Sequence, residues 1–75
     1  MSYTTTTQQE ILKLLRESPL TMTRLITLSR IKAGYIAMGV RYLQGQNLVT
    51  VTELTYSLTD EGRTLAEQFA GEWKP

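Results

Sequence analysis

Hydrophobic periodicity changes twice along this chain, and the two changes fix the order of its elements. Up to about residue 45 the apolar residues recur with helical spacing. From Leu48 to Thr59 β-branched and aromatic residues alternate with period two, and beyond Thr59 the helical spacing returns. A chain patterned this way folds as a run of helices, a hairpin and a closing helix.

The punctuation agrees with the pattern. Thr7, Gln8, Gln9 and Glu10 fit a capping box with Thr7 as N-cap, and Ile11, Leu12, Leu14 and Leu15 follow as an apolar stripe. Ser18 and Pro19 end this first helix, expected over 8–17, because the residue before a proline avoids helical geometry. Leu20 to Thr23 is β-tolerant and holds two possible caps for a second helix over 22–29, with Leu25, Ile26 and Leu28 as its apolar residues. A turn at 30–32 leads to a third helix over 33–45, whose core face is Ile36, Val40 and Leu43. It ends near Gly45, before Gln46 and Asn47, where Gly or Asn can take the left-handed conformation. Two strands, 48–52 and 55–59, are joined by Glu53 and Leu54 alone. Thr59 then caps a fourth helix with Asp60 and Glu61 in its first turn, where negative charge suits the helix dipole. Leu65, Ala66 and Phe69 form its buried stripe and Gly71 is its expected terminator.

Inventory excludes several function classes. The 75 residues include no Cys and no His. Disulfides, thiolate catalysis, a histidine general base and the usual zinc sites are therefore absent, so no enzyme, metal or cofactor is expected. With 41% hydrophobic and 20% charged residues the composition is globular. One domain over 1–75 is expected, with tails at 1–6 and 72–75, and a chain this short buries only about 60% of its unfolded surface. The opening residues have neither a basic start nor an apolar stretch, and no apolar run approaches the roughly 20 residues that span a bilayer. A cytoplasmic protein with no membrane partner is the expectation.

The net charge of +1 conceals a segregation. Residues 18–52 carry Arg24, Arg30, Lys32 and Arg41 and no acid. Residues 53–75 carry Glu53, Asp60, Glu61, Glu67 and Glu72 against Arg63 and Lys74. A basic middle in a near-neutral chain suggests a polyanion-facing surface, and an ordinary solvated face is the alternative.

Two stretches carry a family resemblance. One is Leu25 and Leu28, Ile31 in the turn, then Ile36, Val40 and Leu43, then Leu48-Val49; the other is the run Tyr56 to Gly62. Together they make the segment from Pro19 to Phe69 resemble the winged helix-turn-helix superfamily, especially its MarR-like and PadR-like bacterial or phage regulators. The resemblance implies an α+β fold: a small winged helix-turn-helix domain with a three-helix core, a short two-stranded wing and a C-terminal helix. It further implies that the third helix enters the major groove of double-stranded DNA while the second crosses the backbone.

On that reading Arg24, Arg30 and Lys32 anchor phosphates, and Ala33, Gly34, Tyr35, Ala37, Met38 and Arg41 face the groove. The set is unusual, since base readout normally uses Arg, Lys, Asn or Gln and only Arg41 qualifies. The wing tip, Glu53 and Leu54, is short and acidic and is not expected to grip DNA. Gly34 and Gly39 cost up to about 1 kcal/mol each within a helix. A DNA backbone, a partner helix or the second helix of the same chain would explain them by approaching closely. A DNA-binding transcriptional regulator acting as a homodimer, through the first helix or the 69–73 end, is the leading expectation. The alternative is an interaction module whose third helix binds a protein partner. Trp73 is either a lid on the core or a dimer contact.

Overall fold

The computed structural model describes residues 6–70. Of the expected tails at 1–6 and 72–75, Thr6 belongs to the first helix, and the remainder, with Gly71 as terminator and the two roles of Trp73, falls outside these residues. The elements run α1 (Thr6–Glu17), β1 (Leu20–Thr21), α2 (Met22–Ser29), α3 (Ala33–Gly45), β2 (Val49–Thr52), β3 (Thr55–Leu58) and α4 (Asp60–Ala70).

α1 is the central helix, packed against α2, α3 and α4. Its buried stripe is Ile11, Leu12 and Leu15. It begins at Thr6, ahead of the expected start at residue 8, so Thr7 lies inside the first turn and is not the N-cap. A tract of four threonines offers the same capping side chain at each step, so the cap cannot be placed from side-chain chemistry alone. Thr7 has a packing role instead: its methyl lies 3.4 Å from where a side chain on Gly39 would begin.

The wing has a third strand that the sequence pattern did not reveal. β1 pairs antiparallel with β3, Leu20 opposite Tyr56 and Thr21 opposite Thr55. β2 pairs with β3 from Val49 opposite Leu58 to Thr52 opposite Thr55. The order is β1-β3-β2. A two-residue strand is too short to show alternation, and its partner lies far along the chain, so only tertiary pairing creates it. Thr21 ends this strand and also caps α2, its Oγ1 accepting from the Arg24 N–H at 3.3 Å.

Within α2 only Leu25 is fully buried, with Met22 and Ile26 partly buried against the core. Leu28, expected on the core face, is 45% exposed. The inward positions 22, 25, 26 and 29 follow helical spacing and place residue 28 on the outer flank.

α3 buries Ile36, Gly39, Val40 and Leu43. The chain leaves it through Asn47 at φ 61°, the left-handed residue expected in this stretch. Thr59 caps α4 and ties it to the turn after α3: its Oγ1 accepts from the Gly62 N–H at 3.0 Å and donates to the Asn47 carbonyl at 2.6 Å. Here the backbones cross closely. A Cβ on Gly62 would collide with the Leu48 carbonyl, which is already accepting from the Thr59 N–H at 3.1 Å. Gly62 is thus what lets α4 dock against the start of the wing.

Candidate nucleic-acid interface

The basic face is built by two helices and a rigid turn. α2 ends on Arg30, whose φ of 60° is left-handed and whose N–H bonds to the Ile26 carbonyl at 3.1 Å. The Ser29 hydroxyl donates to that same carbonyl at 3.3 Å and accepts from the Ile31 N–H at 3.1 Å. Ile31 tucks against the core, fixing the direction in which α3 departs. Lys32 occupies the N-cap of α3 and supplies no side-chain cap, so the positive end of the helix dipole and the Lys32 ammonium share one corner.

Arg24, Arg30, Lys32 and Arg41 are all exposed. Among the described residues none of them pairs with an acid; the ion pairs join Arg16 to Glu67 at 3.3 Å and to Glu17 at 3.8 Å, on α1 and α4. The four central charges are therefore uncompensated by neighbours.

α3 presents its outward residues in a definite order. Opposite the buried Ile36, Val40 and Leu43 lie Gly34, Met38 and Arg41, at helical spacing. Tyr35 is 60% exposed and Met38 70%, so neither packs into the core edge. Ala33 and Gly34 are exposed, and nothing lies within 4 Å of the place where a Gly34 side chain would begin. Ala37, expected to face outward, is half-buried on the flank. The close approach expected at the glycines exists at Gly39 only, and it comes from α1, not α2: the Ile11 Cδ1 methyl would sit 2.8 Å from a Gly39 Cβ.

One exposed residue of α3 was missed by sequence reasoning. Tyr42 is 42% exposed, and with Tyr35, Met38, Gly39, Thr7 and Gln8 it lines a shallow hollow of about 350 Å³ between α1 and α3. The signal was present, since Tyr35 and Tyr42 stand seven residues apart and so share one helix flank.

The wing tip is a two-residue turn with both central residues left-handed, Glu53 at φ 51° and Leu54 at φ 66°. Leu54 is 81% exposed. The tip carries no cation, as the sequence indicated. No cluster of three or more potential metal ligands occurs among the described residues. No helix there is long and apolar enough to cross a membrane.

No family model matches the chain, and no curated protein sequence does. Solved structures do match. The adhesin competence repressor AdcR of Streptococcus pyogenes superposes with a TM-score of 0.86 at 26% identity, over 93% of this chain and 57% of that one. A MarR family transcriptional regulator from Silicibacter pomeroyi gives 0.81 at 28% identity, over 88% of this chain and 52% of the other. The fold is a MarR-like winged helix. Wild-type ZitR of Lactococcus lactis shares it, with a TM-score of 0.85 at 27% identity over 93% of this chain and 51% of its own. This chain thus spans little more than half the length of these regulators. In a MarR-like winged helix α2 and α3 form the helix-turn-helix, and β2 and β3 with β1 form the wing.

Proposed function

We propose that this chain is a sequence-specific DNA-binding module of a bacterial or phage transcriptional regulator. Its α3 lies in the major groove and α2 crosses the phosphate backbone. The observation that carries this is the α2–α3 face itself: four exposed cations with no acid among them, held on the scaffold of transcriptional regulators. Arg24, Arg30 and Lys32 anchor phosphates; Arg41 reaches a base edge; Ala33, Gly34, Tyr35 and Met38 form the groove-facing surface, with the half-buried Ala37 at its flank. The conformation of Arg30 supports its role. A left-handed residue after a helix is usually Gly or Asn, and an arginine kept there at a cost in backbone energy serves for its side chain. The short acidic wing tip stays off the DNA.

A homodimer aligns two copies of α3 with half-sites one helical turn apart, roughly 34–36 Å. It forms through α1 or the 69–73 end, and sedimentation with and without duplex checks it. The cytoplasm is where such a module works. The protein-interaction reading of α3 gains nothing from the structural neighbours.

Fluorescence-anisotropy titration of duplex DNA with single variants tests the assignment. Arg41→Ala costs about 1–3 kcal/mol on the selected site if its guanidinium makes a bidentate base contact. Lys32→Ala weakens all duplexes about equally. Unchanged affinity in both variants would remove the binding face from α3.

A further inference from the structure

The groove-facing surface is short of hydrogen-bonding groups in a way that specifies what it can read. Along the outward line of α3, Gly34 and Met38 offer no donor or acceptor beyond the weak thioether sulfur, and Arg41 offers the only strong donors. Ala33 flanks this line, exposed and equally apolar, and Tyr35 adds a large ring that stands 60% exposed and carries one hydroxyl at its tip. Cations border the strip at its start, through Lys32 and Arg30, and toward its end, through Arg41. An apolar strip edged by uncompensated positive charge is complementary to an anionic partner with an apolar interior feature.

The major groove supplies one such feature. Of its base edges, only thymine presents an apolar group, the C5-methyl. Every other base-edge group in the groove, on guanine, cytosine, adenine or the thymine O4, is a donor or acceptor that Met38 and Ala33 cannot satisfy, so the thymine methyl is the one feature these side chains bury favourably. The absence of any side chain at Gly34 and the smallness of Ala33 leave the helix N-terminus free to sit deep in the groove.

We propose, on the DNA-binding reading above, that α3 recognises thymine methyl groups through Met38 and Tyr35, with Arg41 as its single polar base reader. The half-site is a run of consecutive T·A pairs with one guanine, the methyls meeting Met38 and Tyr35 and the guanine edge meeting Arg41.

The test replaces methyl groups without touching charge. A preferred duplex is selected from random sequence and its thymines are exchanged one at a time for deoxyuridine, which lacks only the C5-methyl. Affinity is expected to fall about fourfold at each contacted thymine, the equivalent of roughly 0.8 kcal/mol per buried carbon, and to be unchanged elsewhere. Met38→Ala, at a side chain 70% exposed, leaves the fold intact and should abolish the deoxyuridine effect at one position while keeping it at the other. A fully uracil-substituted site that binds as tightly as the thymine site overturns methyl reading and leaves DNA binding standing. Failure to bind any duplex at low salt overturns both and assigns the apolar strip to a protein.

Discussion

Two glycines buried by helix packing differ in what they protect. At Gly62 the obstacle to a side chain is the Leu48 backbone, which is held by its own hydrogen bond to Thr59 and cannot move aside. Gly62→Ala is expected to destabilise the fold by about 2–3 kcal/mol through overpacking. At Gly39 the obstacle is the terminal methyl of Ile11, which a rotamer change can displace. Gly39→Ala also recovers up to about 1 kcal/mol of helix propensity, so its net effect is near zero. Urea midpoints for the two variants check the contrast. Arg30 offers a second test at this scale. Arg30→Gly relieves the left-handed backbone and should raise stability by about 0.5–1 kcal/mol, glycine's greater freedom in the unfolded chain offsetting part of the relief. The same variant should bind duplex DNA more weakly. Gains in both stability and affinity would show that Arg30 has no part in binding.

Among the elements, the helices and the hairpin were legible because their signals are local. Ile11 to Leu15 and Ile36 to Leu43 display their periodicity within one helix, and Thr59 with Asp60 and Glu61 marks the start of α4 within three residues. β1 was not legible, because Leu20 and Thr21 become a strand only by meeting Tyr56 and Thr55. Leu28 was misplaced for a related reason: an eight-residue helix has too few turns to fix the phase of its stripe. The wing turn is locally frustrated, since a two-residue hairpin with two left-handed positions favours Asn-Gly and this chain has Glu53-Leu54. Replacing both by Asn-Gly should stabilise the domain by about 1–2 kcal/mol. It should also leave Arg41-dependent binding intact if the wing stands clear of DNA. Thermal melts and the duplex titration read the two effects separately.

For the whole molecule, charge and shape divide the labour. α1 and α4 hold the Arg16–Glu67 ion pair together with Glu10, Glu17, Asp60 and Glu61, while the charged residues of α2, the turn and α3 are all cations. The sequence displayed this segregation plainly, and of the residues it placed on the outward side of α3, Ala33, Gly34, Tyr35, Met38 and Arg41 are exposed while Ala37 is half-buried; Tyr42 was not named. It could not display which face of α3 meets α1, so α1 was not among the neighbours considered for the approach at Gly39. That contact decides the orientation of α3, and with it the exposure of Tyr35, Met38 and Tyr42. The central claim is that this basic face binds duplex DNA, and the salt dependence of binding tests it most directly. With roughly 3–5 phosphates neutralised per chain, log K should fall with log salt at a slope of about −2.7 to −4.5. A slope near zero, or no binding at low salt, would contradict it.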